Sequence, residues 1–123
     1  MTSVILACSA LLLGTAAVSQ AADSPQPGDL RLFYQENCVR CHGAEGTGQD
    51  STGKGLRGQD FTDVKWRKDT TDEKMVAVIL KGKFFGLAMP AYKSKLTKEE
   101  AQRMVTDIIR VSEKGKIIQP PRK

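Results

Sequence analysis

Two cysteines and the histidine that follows them, Cys38, Cys41 and His42, form the pattern C-x-x-C-H, written CVRCH in this chain. Two thiols at this spacing can form thioether bonds to the two vinyl groups of one porphyrin, which makes the pattern a signal for haem c attachment. The adjacent imidazole is then placed to serve as an axial ligand of the iron. The pattern therefore predicts one covalently bound haem c.

Other uses of the cysteine pair fit the sequence less well. A thioredoxin-like redox site needs a βαβ context, and the chain has no segment that alternates like a strand. A zinc site needs four ligands, whereas Cys38, Cys41 and His42 supply three and no second cluster of cysteines or histidines exists. A disulfide that spans only two intervening residues would add little stability.

The second axial ligand is predicted by elimination. His42 is the only histidine, and haem iron in electron-transfer proteins commonly takes a methionine opposite a histidine. Met75 and Met104 fall on apolar stripes at helical spacing, where methionine is more often core filler. Met89 belongs to no stripe and precedes Pro90 in a loop, so Met89 is the predicted ligand. An open site or a lysine ligand is the alternative.

The elements that must position these residues are helices and long loops. Asp29 is the predicted N-cap of a first helix over residues 30–39, which delivers Cys38. Residues 43–58 hold six glycines among polar residues and read as loop. Residues 60–69 read as loop with one helical turn.

Two further helices are predicted from their ends. Thr70 or Thr71 begins one of them and Gly82 ends it, while Thr97 and Glu100 form a capping box at the start of the last helix. The predicted buried face of the last helix consists of Met104, Val105, Ile108, Ile109 and Val111. Residues 116–123 read as a basic tail. No segment alternates between apolar and polar residues as a β-strand does, so the predicted fold class is all-α.

The first 22 residues have the character of a secretory signal. They carry no charged side chain, and an apolar run over residues 4–18 precedes the small residues Ser19, Ala21 and Ala22. The absence of Lys or Arg before the run fits a signal poorly, and a buried apolar helix is the alternative. We therefore predict a cleaved signal peptide over residues 1–22 and a mature domain over residues 23–123, periplasmic and without a membrane anchor.

The formal net charge of +5 raises the possibility of nucleic-acid binding. Export and the lack of any recognition motif argue against it.

Taken together, these motifs resemble class I cytochrome c over about residues 30–109. The resemblance rests on Tyr34-x-x-x-Cys38-x-x-Cys41-His42-Gly43, the glycine-rich stretch through Gly58, Met89-Pro90-Ala91-Tyr92 and the last amphipathic helix. It implies an all-α fold of three main helices and glycine-rich loops wrapped around one haem, with the first and last helices crossing. It also implies a one-electron Fe(III)/Fe(II) carrier outside the bacterial inner membrane.

The chain departs from that family at two places. Leu30 stands where the family often has a glycine at the helix crossing, and its counterpart is Ile108. Lys54 stands near the place of a proline whose carbonyl often accepts the ring N–H of the axial histidine. Some backbone carbonyl is still expected to hold His42, because an axial histidine needs its second nitrogen fixed.

The predicted function is that of a free electron carrier, and a haem subunit docked permanently to a larger oxidoreductase or oxidase is the alternative. Catalysis such as peroxidase chemistry would require Met89 to dissociate. Trp66 and Arg57 carry N–H donors suited to haem propionates, although Trp66 could equally be a hydrophobic wall.

A basic rim around an apolar centre is predicted near the haem edge, formed by Lys81, Lys83, Phe84, Phe85, Lys93, Lys95 and Lys98. It would dock redox partners with acidic surfaces. The alternative is ordinary solvated lysines, with the phenylalanines packed on the haem. A monomer is expected.

Overall fold

The structure is a computed structural model, and it describes residues 27–120. Within this range five α-helices, one 3₁₀ turn and one π-helical turn follow one another, and no strand is present. The α-helices are α1 (Pro27–Asn37), α2 (Val39–His42), α3 (Val64–Asp69), α4 (Asp72–Lys81) and α5 (Lys98–Met104). The predicted signal peptide over residues 1–22 lies outside the described residues.

The first helix begins earlier than the sequence predicts. It starts at Pro27, where the missing proline N–H costs nothing because the first helical amides have no partner inside the helix. Asp29 is therefore a residue of the first turn and not the N-cap. The helix ends at Asn37, and after Cys38 the short helix α2 continues to His42.

The ends of α4 and α5 confirm the predicted caps. The Thr71 hydroxyl accepts a hydrogen bond from a backbone amide of the first turn of α4, and Gly82 ends that helix. At α5 the Thr97 hydroxyl accepts from the Glu100 amide at 3.1 Å, and the Glu100 carboxylate accepts from the Thr97 amide at 2.6 Å. Local chemistry thus determines where both helices begin.

One apolar core lies between the helices. It consists of Leu30, Tyr34, Phe61, Met75, Val76, Ile79, Tyr92, Leu96, Ala101, Met104, Val105, Ile108, Ile109 and Ile118. The burial of Met75 and Met104 agrees with their predicted role as core filler. The first helix also contacts the last helical segment directly, because the Arg31 guanidinium donates to the Asp107 carbonyl at 3.3 Å. None of the helices in residues 27–120 has the length and apolar character needed to cross a membrane.

The last helix contains a π-helical turn, Val105–Ile109, which the sequence did not predict. The Arg110 amide donates to the Val105 carbonyl at 2.8 Å, five residues back. One extra residue in a turn rotates the following side chains by about 100°. Val111, predicted on the buried face, is consequently 59% exposed.

The predicted basic tail is partly packed. Ile118 is buried, and its amide donates to the Ala44 carbonyl at 2.8 Å. The tail therefore covers the start of the glycine-rich loop, and only residues 121–123 lie outside the described residues. The loop itself has no regular element beyond an isolated bridge between Gln49 and Gly55, as predicted.

Candidate cofactor site

The turn that joins α1 to α2 brings the three residues of the C-x-x-C-H pattern to one cleft. The amides of Cys41 and His42 both donate to the Cys38 carbonyl, at 3.1 and 2.9 Å, which keeps this turn helical. Both cysteines are half-buried free thiols. Burial raises the pKa of the Cys38 thiol to about 12, with a smaller contribution from the neighbouring Cys41, so this thiol is protonated at neutral pH.

The His42 imidazole is held by a backbone carbonyl that the sequence could not identify. Its Nδ1 lies 3.0 Å from the carbonyl oxygen of Gln59, which can only accept, so Nδ1 carries the proton. Nε2 is then the nitrogen with a free lone pair for a metal. The accepting carbonyl comes from Gln59, beyond the region of Lys54 where the family often has its proline.

Burial is also the main reason why the pKa of His42 is lowered. The Gln59 carbonyl raises this pKa by a smaller amount, and the nearby Lys83 lowers it further. The imidazole ring stacks on Phe61, with ring centroids 4.4 Å apart and planes inclined by 18°. A neutral, oriented imidazole is the form that binds a metal.

Gly58 allows this arrangement because its backbone touches the motif directly. Its amide donates to the Cys41 carbonyl at 2.7 Å. A Cβ at this position would lie 2.3 Å from the same carbonyl oxygen and 2.6 Å from the His42 Nδ1. No side chain fits there without displacing the histidine. The close approach therefore requires glycine.

Met89 lies in a loop whose backbone is anchored to α4 and to the residues directly after that helix. The Lys83 amide donates to the Met89 carbonyl at 2.9 Å, and the Tyr92 amide donates to the Ile79 carbonyl at 3.0 Å. A Cβ on Gly82 would lie 2.4 Å from the Met89 carbonyl oxygen. The half-buried Met89 side chain packs against the core and lines the same cleft as the C-x-x-C-H residues.

The cleft has a volume of about 530 Å³, which falls within the range of about 300–1,000 Å³ typical of ligand and cofactor sites. Its apolar walls include Phe61, Met75, Val78, Ile79 and Ile109. Four cationic side chains also line it, Arg40, Arg57, Lys74 and Lys83, against one carboxylate, that of Asp69. Apolar walls with an excess of positive charge fit a flat apolar macrocycle that carries two carboxylates.

All six residues predicted for the site line this cleft. The two less specific predictions, Trp66 and Arg57, are also among its lining residues. The Trp66 indole N–H donates no hydrogen bond to residues 27–120, so it is available to a bound group. The same ring packs against Phe61 with centroids 5.8 Å apart, which is equally consistent with Trp66 as part of the hydrophobic wall of the cleft.

Sequence reasoning missed Gln59, Phe61 and Tyr92. Tyr92 lines the cleft, and its hydroxyl donates to the Asn37 carbonyl at the end of α1, at 3.2 Å. No residue-type signal could have revealed Gln59, because it acts through its backbone. Tyr92 could have been found, since it belongs to the segment Met89-Pro90-Ala91-Tyr92 that was singled out for its methionine.

Comparison with known proteins shows similarity to one protein family and to several solved structures. The family model of cytochrome c oxidase, cbb3-type, subunit III matches residues 25–106. The solved structure of the KustC0563 c-type cytochrome is 32% identical with a TM-score of 0.56, over 68% of this chain and 96% of that chain. The c-type cytochrome NirC is 25% identical with a TM-score of 0.54, over 75% of this chain and 92% of that chain. No curated protein sequence matches significantly.

Proposed function

This chain belongs to the cbb3-type cytochrome c oxidase subunit III family of c-type cytochrome domains, and from that membership we propose an exported one-electron carrier whose haem iron is held by His42 and Met89. As a c-type cytochrome the chain carries covalently bound haem c and transfers electrons. Cys38 and Cys41 carry the thioether bonds. One observation supports these assignments above the others: the side chains of the motif and of Met89 line a single apolar cleft.

The residues around the cleft tune the electron transfer that the haem supplies. His42 offers Nε2 because Gln59 holds the proton on Nδ1. The Met89 thioether is neutral and soft, so it favours Fe(II) over Fe(III). The apolar walls and the cationic lining act in the same direction, because both disfavour the extra positive charge of the oxidised state. A positive midpoint potential is therefore expected.

If His42 and Met89 both bind the iron of the haem, they would leave no position for oxygen or peroxide, which favours electron transfer. The test is the visible spectrum of the holoprotein in both redox states, compared with Met89→Leu. Met75→Leu and Met104→Leu are matched controls, because both methionines are buried and the substitution conserves volume. We expect a low-spin spectrum whose weak red sulfur-to-iron band disappears only in Met89→Leu.

A band that persists in Met89→Leu would overturn the assignment of this ligand. A low-spin spectrum without the band in the parent protein would also overturn it and would indicate a nitrogen ligand. Lys83 is then the first residue to substitute, because it lines the cleft and its backbone pairs with that of Met89.

The surface beside the cleft supports docking of a redox partner. Phe84 lines the cleft and is 76% exposed, and Phe85 and Leu87 are still more exposed. Phe84 and Phe85 have φ of +49° and +55°, a conformation that costs about 1–2 kcal/mol per residue. The exposed lysines Lys81, Lys83, Lys93, Lys95 and Lys98 surround this loop in the sequence. An apolar centre with basic neighbours suits a partner with an acidic contact surface.

Charge reversal tests this docking surface. Hexacyanoferrate(III) and tris(phenanthroline)cobalt(III) serve as anionic and cationic oxidants of the reduced protein, and rates are followed against ionic strength. Lys83→Glu and Lys93→Glu are expected to slow the anionic reaction several-fold and to flatten its salt dependence. Lys114→Glu, an exposed lysine outside the cleft lining, is the control. Equal rates in all three variants would mean that Lys83 and Lys93 are ordinary solvated side chains with no part in docking.

A haem subunit of a larger oxidoreductase or oxidase is the second candidate. The family takes its name from an oxidase subunit, and the exposed Phe85 and Leu87 agree with a permanent contact. Size-exclusion chromatography of the protein from its native host distinguishes the two. A monomer indicates a free carrier, and stable co-elution with an oxidoreductase indicates a subunit.

Periplasmic location rests on the apolar run over residues 4–18 and the small residues after it. N-terminal sequencing of the protein from a periplasmic fraction tests it. We expect a mature chain that begins after Ala21 or Ala22. A protein that keeps residues 1–20 would contradict export by a cleaved signal.

A further inference from the structure

Arg110, directly after the π-helical turn, binds the two elements that form one wall of the cleft. Its guanidinium donates to the backbone carbonyls of Arg67 and of Thr70, the latter at 2.6 Å, at the C-terminal end of α3. It also donates to the Asp72 carboxylate in the first turn of α4 at 2.7 Å. A single side chain therefore joins the end of α3, the start of α4 and the last helical segment.

Arg67 completes a reciprocal contact, which we call the arginine clasp (Arg67 and Arg110). The Arg67 guanidinium donates to the Arg110 carbonyl at 2.9 Å and to the Ser112 carbonyl at 3.3 Å. Each arginine thus binds the backbone of the other. Because the clasp acts mainly on carbonyl oxygens, it fixes backbone positions, and the positive guanidinium of Arg110 also complements the negative end of the α3 dipole.

The short helix α3 has little other than this clasp to hold it against the core. It has six residues and no buried side chain, so apolar packing does little to hold it. Among residues 27–120, α3 is held by the Asp63 cap, by the partial packing of Trp66 and by the clasp, and the Arg67 guanidinium also donates to the Thr62 carbonyl. Yet Trp66, Asp69 and Thr70 from this segment line the cleft.

The π-helical turn directs Arg110 toward this wall. An α-helical turn of four residues would leave the following side chains about 100° away from their present direction. With the extra residue, Ile108 and Ile109 are both buried in the core, Ile109 lines the cleft, and Arg110 meets α3. π-helical turns often mark functional positions.

We propose that Arg110 is a positioning residue: through the clasp with Arg67 it holds the α3 wall, and with it the Trp66 indole, against the cofactor cleft. The inference rests on the proposed haem site. If Arg110 is lost, α3 detaches more readily and the Trp66 indole is no longer held in the lining of the cleft. The negative charge of a bound carboxylate is then less compensated, which stabilises Fe(III) and lowers the midpoint potential.

The test uses the holoprotein with Arg110→Gln and Arg110→Lys. The matched control is Arg31→Gln, a half-buried arginine with the same charge loss and a single bond to the same π-helical turn. We expect amide hydrogen exchange over residues 64–70 to lose protection about tenfold or more in Arg110→Gln, because several charged hydrogen bonds are lost together. Arg110→Lys should restore part of this protection, and Arg31→Gln should leave it unchanged.

The midpoint potential distinguishes positioning from a plain charge effect. Arg110→Gln should lower the potential, and most of that shift should vanish when the same change is made in a Trp66→Phe background. A shift of equal size in both backgrounds, or unchanged exchange in α3, would overturn the inference. If Arg110→Gln does not fold, Asp72→Asn removes the charge of the ion pair with Arg110 while keeping an acceptor oxygen, and it should loosen α3 to a smaller extent. The exchange measurement does not depend on Met89, so a failure of the ligand assignment remains distinguishable.

Discussion

Replacement of Gly82 by alanine is the most direct perturbation of the Met89 loop that avoids Met89 itself. Gly82 ends α4 with φ of +72° and ψ of −172°. A Cβ there would lie 2.4 Å from the Met89 carbonyl oxygen and 2.9 Å from the Ala91 amide nitrogen. Ordinary contact begins at 3.4 Å, so the Met89 backbone must move away.

Gly86→Ala provides the reference for the magnitude. Gly86 has φ of +85°, yet a Cβ there meets no atom within 4 Å. Both variants place an alanine at positive φ, and the change in unfolded-chain entropy cancels between them. The backbone cost is greater at Gly82, because its ψ of −172° lies in a region that is essentially restricted to glycine. Only Gly82→Ala adds the cost of overpacking against backbone, about 1–3 kcal/mol. The difference between the two variants is therefore this second amount together with the greater backbone cost at Gly82.

The assay is denaturant unfolding of both holoproteins together with the red sulfur-to-iron absorbance band. We expect Gly86→Ala to keep the band and to lose about 1–2 kcal/mol of unfolding free energy. Gly82→Ala should lose more stability and most of the band, because the displaced loop withdraws the thioether. The reasoning would be refuted by a Gly82→Ala protein that matches Gly86→Ala in both stability and band intensity.

Three further predictions concern local hydrogen bonds. Tyr34→Phe removes the bond from the buried hydroxyl to the Gly43 carbonyl at 2.8 Å and should cost about 1 kcal/mol in thermal unfolding, with an unchanged melting temperature counting against it. Thr97→Ala breaks the capping box with Glu100 and should cost about 1 kcal/mol by denaturant unfolding; a neutral result would mean that the cap contributes nothing. Hydrogen bonds from the Thr52 hydroxyl and amide lower the pKa of the Asp50 carboxyl. The stability that these bonds give to the folded protein is therefore complete above the unfolded pKa of about 3.9, and it is lost as pH falls through the folded pKa. An NMR titration of the carboxylate checks the direction, which a normal or raised pKa would contradict.

Local patterns predicted a large part of the fold because their causes are local. The caps at Thr71 and Thr97 follow from side chains that bond amides three residues away. The glycine-rich loop follows from composition. The start of α1 was misplaced because both Pro27 and Asp29 are good first-turn residues. The π-helical turn was missed because the sequence pattern of an apolar stripe continues through it, and only packing against the core selects the extra residue.

The sequence by itself determined the type of cofactor, since the spacing of Cys38, Cys41 and His42 already specifies the chemistry of haem c attachment. It also singled out Met89, by the position of that residue outside every apolar stripe. Only the tertiary structure decided that Gln59 holds the histidine and that Arg110 binds the backbone at the end of α3. In both cases the hydrogen-bond acceptor is a backbone carbonyl. Because every residue has one, the residue type does not reveal such a partner before the chain has folded.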